Sequence, residues 1–468
     1  MKRFFLALAS VGAMALSFPF EAAASQPHEE SGAQAIELTK QLISIRSVRG
    51  PDNHTFEAQE LIRRTLLAAG WQAGDIDVER VDDTAYLIAT WRGTDPKLKP
   101  LVVSGHLDVV EAKPSDWLRD PFTPVVENGF LYGRGALDMK FDAALATTSL
   151  IEMRKAGYRP KRTIVLQFSG DEETTGKTSD IIAERLKDAD LVINIDAGSG
   201  VYDSQSGKAL YWTWDGAEKT YGDFEFEVTN AGGHSSEPHA DNAIVQMSTA
   251  MAKIGAYHFK PELNALTKGY WEKAAAFQTD AKVAAAMRAF AANPNDPEAI
   301  QILRSRPDLT GRVSTTCIPT TINGGHAQNA LPQRVRVNIN CRIFPGHTRE
   351  EIRAELERVM DQKEVVFVDV PGDAWPASKD LPLRADFVAA AEKAMHLARP
   401  GVAVISDQAS GGSDSLFYRT RGVPSYGAPP LFIKPSDDFM HGLNERVPLD
   451  NTLPSITYFV SLFTDLSR

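Results

Sequence analysis

The sequence predicts an α/β protein: a mixed sheet made from two separated stretches of chain, interrupted by a smaller ferredoxin-like domain. Two observations carry that expectation. Short apolar runs, AYLIATW, LVVSG, TIVLQFSG and DLVINID, alternate with stretches of helical periodicity, the pattern of a buried sheet covered by helices. From about residue 217 the rhythm changes to β-α-β-β-α-β, and after PGDAWP the first rhythm returns.

The elements follow in order. Lys2 and Arg3 precede the apolar run FFLALASVGAMAL, and EAAAS follows it. These are the charged, hydrophobic and cleavage regions of a secretory leader, too short for a comfortable membrane span, so residues 1–24 are expected to be removed near Ala24. The expected product is periplasmic or secreted. Residues 33–46 and 55–70 carry apolar residues at helical spacing, and the four strand-like runs come next. In the second unit DFEFEV alternates, helices are expected at about 241–256 and 348–362, and GRVSTTCIPTTIN, VRVNINCRIF and VVFVDV read as strands. An extra stretch at about 257–312 contains the Ala-rich helix AKVAAAMRAFAA and the turn NPNDP. It either shapes substrate access or packs along the outer edge of the inserted domain. VAVIS and a C-terminal helix complete the first unit. The expected division is 25–216, 217–372 and 373–468.

The chain has 468 residues and a formal charge of −11; losing Lys2, Arg3 and Glu21 with the leader removes a net +1 and leaves −12. An acidic surface argues against nucleic acid or anionic membrane as partners. Cys317 and Cys341 are the only cysteines and fall on two strands separated by GGHAQNALPQ. An oxidising compartment permits a disulfide between them, and two buried thiols are the other reading.

The strand ends hold the chemistry. LVVSG runs into His106 and Asp108, TIVLQFSG into Asp171, Glu172 and Glu173, and LVIN into Asp196; Asp138 lies in GRGALDMK and His441 in MHGLNE. In open α/β sheets ligands bind beyond the carboxyl ends of the strands, so these clusters face one crevice. A single aspartate after a strand is ordinarily a cap or turn residue, and a His beside an Asp serves equally well as a core hydrogen bond. Capping, however, does not require an acid or an imidazole at every one of these ends. Imidazole with carboxylate and no thiolate suits zinc, cobalt or manganese. His106, Asp138, Glu173, Asp196 and His441 supply the five or so ligands that a pair of ions needs, one of them bridging. The G-x-S-x-G elbow of a serine hydrolase and the H-E-x-x-H of a single-zinc protease are both absent.

These motifs resemble the co-catalytic dinuclear zinc metallopeptidase family of glutamate carboxypeptidase, aminoacylase, succinyl-diaminopimelate desuccinylase and carnosinase. SGHLDVV, GRGALDMK, SGDEETTG, NIDAG and MHGLNE match in order, and GGHSS, GGHAQNALP and SGGSDSLFYRTRGVP match further segments. The resemblance implies two zinc ions per subunit, replaceable by cobalt or manganese. Asp138 would bridge them, His106 and Asp196 would complete one site, and Glu173 and His441 the other. Asp108 would orient His106, and the Asp138–Met139 peptide would be cis. Glu172 would be general base and acid towards a metal-bridging hydroxide. His234 would stabilise the oxyanion in the neighbouring subunit, which implies a homodimer formed through the inserted lid domain. Asn329 and Arg342 would contact the substrate. The expected activity is cleavage of a terminal peptide or amide bond, as by a dipeptidase, aminopeptidase or carboxypeptidase. An N-acyl-amino-acid amidohydrolase is the alternative, and a binding protein that has lost catalysis a remote one. Asp rather than Glu at 196 leans towards peptides with a free amine.

Overall fold

The computed structural model describes residues 28–196, 200–368, 376–377, 379 and 381–468. The expected leader and the expected boundary at 372/373 lie outside these residues. No described helix is long and apolar enough to cross a membrane.

A ten-stranded mixed sheet forms the larger unit. At its centre Leu101–His106 lies between Ile164–Ser169 and Leu191–Asn194, parallel to both. Every residue of these three strands is buried. Both faces are covered, which is why the strands read as unbroken apolar runs rather than alternating ones. Val102, Val165 and Val192 pack beneath Ile182 and Phe417 on one face. Leu101, Val103, Leu166 and Ile193 meet the helices Glu29–Ile43, Lys140–Lys155 and Thr452–Leu466 on the other. The strand Ala209–Glu218, which pairs with Ala403–Ala409, was not foreseen: its mixed run ALYWTWDGAE has neither an apolar block nor clean alternation.

The second unit is a four-stranded antiparallel sheet in the order Thr316–Gly324, Arg334–Ile343, Thr220–Thr229, Val366–Val368. With Ala243–Ala256 and Arg349–Met360 packed on it, this is the βαββαβ arrangement. Thr220–Thr229 and Arg334–Ile343 alternate buried with half-buried residues, so each gives one face to its own core of Phe224, Phe226, Val337 and Ile339. The opposite face carries Tyr221, Asp223, Asn338, Asn340 and Arg342. Asn242 caps the first helix, and a capping box of Thr348 and Glu351 starts the second. Cys317 and Cys341 face each other in register and form a disulfide, with Cα atoms 4.1 Å apart.

The stretch 257–312 does not pack along the outer edge of the small sheet. Its helices Ala265–Ala274, Ala281–Ala292 and Pro297–Arg304 gather Trp271, Met287, Phe290 and Leu303 around Ile405 of the large sheet. Asn264 donates to Gln408 at 2.6 Å, and Arg312 forks onto Asp407 at 2.7 and 3.0 Å. The apolar faces of these short helices find their complement on the strand Ala403–Ala409.

Candidate metal centre and cleft

Because three neighbouring strands run parallel, their ends deliver side chains to one place. His106 ends its strand paired with Ser169, so the Asp171–Glu173 turn and Asp196 emerge on either side of it. His106 Nε2 lies 3.2 Å from Asp138 Oδ1 and 3.4 Å from Asp196 Oδ1. His441 Nε2 lies 3.1 Å from Asp138 Oδ2 and 3.0 Å from Glu173 Oε2. Asp138 thus turns one oxygen to each histidine and belongs to both groups. Their ligand atoms fall within 4.8 Å of one another. For an ion bound tetrahedrally at roughly 2.1 Å, neighbouring ligand atoms stand about 3.4 Å apart. The observed 3.0–3.4 Å suits that spacing, and the oxygen and imidazole donors suit a borderline divalent ion. The residues fit a pair of ions.

The supports are as specific as the cluster itself. His106 Nδ1 donates to the main-chain carbonyl of Asp108 at 3.0 Å, with the Asp108 carboxylate 3.5 Å away, leaving Nε2 to face the cluster. That carboxylate also accepts the main-chain N–H groups of Glu172 at 3.2 Å and Glu173 at 3.1 Å. One buried aspartate therefore fixes both the ring and the glutamate pair. Asp171 accepts the N–H groups of Lys177 and Thr178 and shapes the turn from below. The peptide bond Asp138–Met139 is cis.

Two supporting residues escaped the sequence reading. Glu445, wholly buried, accepts from Arg134 Nη1 at 2.6 Å and from the N–H groups of Gly135, Leu137 and Asp138 at 3.0, 2.8 and 3.0 Å. Arg134 Nη2 reaches the Gly442 carbonyl at 3.2 Å. The pair ties the segment bearing Asp138 to the segment bearing His441. Both residues lie inside motifs already singled out, GRGALDMK and MHGLNE, and a charged residue of each sign in two converging motifs was the available signal.

Electrostatics follow from crowding. Burial pushes the Glu172 carboxyl well above the usual range, against the pull of His106 and with the help of Asp196, Glu173 and Asp414. Burial and the Asp138 charge raise Glu173 to about 7. Hydrogen bonds to Asp138 and Glu173 raise His441 to about 10. Burial opposes ionisation of Asp138, yet its hydrogen bonds from His106 and His441 hold it below the ordinary carboxylate range. Mutual perturbation of this kind, set in a cleft, is the electrostatic pattern expected of a functional site.

The cleft itself, about 650 Å³, runs between Glu172, Glu173 and His441 on the large unit and Tyr221, Asp223 and Arg342 on the small sheet. The Arg342 guanidinium lies over the Tyr221 ring, 4.8 Å from its centre. His234 and Asn329 are not brought to this cleft. Both are exposed; the main-chain carbonyl of Asn329 accepts the Ser235 N–H at 3.0 Å, and Ser236 Oγ sits 2.7 Å from His234 Nδ1.

A model of Peptidase family M20/M25/M40 matches residues 102–465. Carboxypeptidase S of Saccharomyces cerevisiae is 30% identical over 284 residues, spanning 57% of this chain and 49% of that protein. The N-fatty-acyl-amino acid synthase/hydrolase PM20D1 of Mus musculus is 26% identical over 385 residues, 77% of this chain and 73% of that one. Among solved structures, the M20 family metallo-carboxypeptidase Sso-CP2 from Sulfolobus solfataricus superposes with a TM-score of 0.70 at 16% identity, over 92% of this chain and 98% of that one. That last likeness concerns the fold.

Proposed function

The chain belongs to peptidase family M20/M25/M40, a family of hydrolases acting on C–N bonds, and from that premise we propose that it cleaves a terminal peptide or amide bond with Glu172 as general base and acid. One observation carries the reading: Asp138 presents one oxygen to each of two imidazole–carboxylate groups, with Glu172 beside them. His106, Asp138 and Asp196 would hold one zinc ion; Asp138, Glu173 and His441 would hold the other. When bound, such ions acidify an attacking water and polarise the scissile carbonyl.

The chain's own groups do the rest. Glu172 lies 4.0 Å from His106 Nε2, and its N–H is fixed by Asp108. Its buried, raised carboxyl accepts a proton from the water and returns it to the departing amine. Arg342, opening onto the same cleft, pairs with a substrate carboxylate. The test is Glu172→Gln: metal content stays that of the parent while kcat falls about a hundredfold or more. Full turnover by that variant would remove the mechanism.

A second reading, an N-acyl-amino-acid amidohydrolase using the same centre, draws support from the similarity to PM20D1. Rates on free dipeptides against N-acyl amino acids separate the two. The intact ligand set with Glu172 weighs against a protein that only binds. The chain acts as an exported homodimer in this proposal, the leader 1–24 directing export. The edge strand Thr316–Gly324 exposes Ile318 and Ile322, beside exposed Ile244 and Val245 of the adjacent helix, which favours pairing with a second copy there. His234 then serves the partner's cleft, and Asn329 contacts substrate from the same segment.

A further inference from the structure

Beside the metal cluster lies a chamber of about 200 Å³ that shares Asp196 and Met440 with the cleft. Leu137, Met139, Leu431 and Ile433 give it apolar walls. Its polar groups are Asp142, Asp196, Thr213, Asp215 and the Arg312–Asp407 pair. Arg312 enters from the end of the helical insertion, its guanidinium 4.3 Å from the centre of the Tyr270 ring, and is already engaged by Asp407.

Asp142 is not engaged. It stands in the first turn of the helix Lys140–Lys155, only 3% exposed, and its Oδ1 has no hydrogen-bond partner. A buried acceptor left without a donor costs about 1–3 kcal/mol, so such a group calls for an explanation. A guest with an aliphatic stem and a terminal ammonium answers both features. The stem lies on the apolar walls, and the ammonium supplies a donor to the Asp142 oxygen. A plain hydrocarbon chain would leave the Asp142 oxygen as it is.

Among the described residues, none that lines the chamber belongs to the small sheet, whereas Tyr221, Asp223 and Arg342 of that sheet line the cleft. The two spaces address different parts of a substrate. With Arg342 on the carboxylate of the leaving residue, the chamber receives the acyl-side residue. We propose that this chamber selects an acyl-side residue bearing a primary-amine side chain, as in lysine or ornithine, with Asp142 as the specificity-determining residue. The inference rests on the hydrolase reading above.

The experiment compares lysyl-alanine with 2-aminoheptanoyl-alanine, whose side chain has the same length and no ammonium, on the metal-loaded protein and its Asp142→Asn variant. The parent should favour the lysyl substrate by about tenfold or more in kcat/KM, and the variant should lose that ratio while retaining its metal content. Equal or greater kcat/KM for the uncharged substrate in the parent, or an unchanged ratio in the variant, overturns the inference. Absence of turnover on every dipeptide would retire the dipeptide-cleaving reading instead. Calorimetric titration with lysinamide and 2-aminoheptanamide then decides the chamber separately. About tenfold tighter binding of lysinamide, lost in Asp142→Asn, supports the inference, and equal affinities overturn it.

Discussion

Replacing Glu445 by glutamine tests whether the metal centre is organised from outside its ligand shell. In the parent, one carboxylate oxygen takes Arg134 Nη1 and the Gly135 N–H, and the other takes the N–H groups of Leu137 and Asp138. Glutamine keeps the shape but turns one of those oxygens into a donor. If the amide nitrogen faces Leu137 and Asp138, two buried main-chain donors lose their acceptor, at about 1–3 kcal/mol each. If it faces Arg134, a buried guanidinium loses its counter-charge, at about 3–5 kcal/mol. Either way the segment carrying Asp138 is destabilised by at least about 2 kcal/mol, because both orientations strand two donors. Were all of that to fall on the metal-binding arrangement, affinity would drop roughly thirtyfold. That lies within the tenfold to hundredfold range found when a group behind a metal ligand is removed. Chelator competition on the purified variant measures the affinity directly. Trp117, 5.1 Å from the Arg134 guanidinium, lies at the place where fluorescence should register the altered packing. A variant that binds metal and turns over substrate as the parent does would refute the assignment of Glu445 and Arg134 as the frame of the site.

Three further outcomes are expected. Mixing inactive Glu172→Gln with inactive His234→Ala protein should restore activity, since a mixed dimer contains one cleft with an intact Glu172 and a partner's His234; no recovery after subunit exchange would argue that each chain works alone. Reducing the Cys317–Cys341 bond, which closes a loop of sequence separation 24, should lower unfolding stability by about 3 kcal/mol in urea titrations, and an unchanged midpoint would place the bond outside the stability-determining unit. Lys219, buried between the two sheets with its ammonium on the Ser314 carbonyl at 2.7 Å, is lowered by burial to about 7. Its folded value lies below the unfolded one, so between about pH 7 and 10.5 the unfolded chain holds more protons and stability from this group rises with pH. Lys219→Met should therefore show a shallower rise over that window than the parent, by up to about 1.4 kcal/mol per pH unit, and an identical pH dependence would count against a neutral buried amine.

The cluster was legible because of where its strands stop. A buried parallel strand tolerates no unpaired charge along its length, so the first acid or imidazole after LVVSG, TIVLQFSG and LVIN stands out, and parallel pairing brings all three ends together. What holds the cluster together was not legible. Arg134 and Glu445 are 311 positions apart, and nothing local in either motif says that the acid will spend four hydrogen bonds on the other's loop rather than on solvent or an ion. The same limit applies to Asp142. In FDAALATTSL it reads as an ordinary acid in the first turn of a helix, where the dipole favours negative charge. Only the fold sets it beside Pro429, Leu431 and Ile433 in the chamber wall and leaves its Oδ1 without a hydrogen-bond partner. The insertion shows the converse. Its Ala-rich helix was readable in the sequence, but the destination of the segment depended on which apolar surface lay uncovered, and the strand Ala403–Ala409 supplied one. Docking there carries Arg312 to the chamber wall, so a segment whose sequence bears no catalytic motif ends up shaping the space next to the reacting centre.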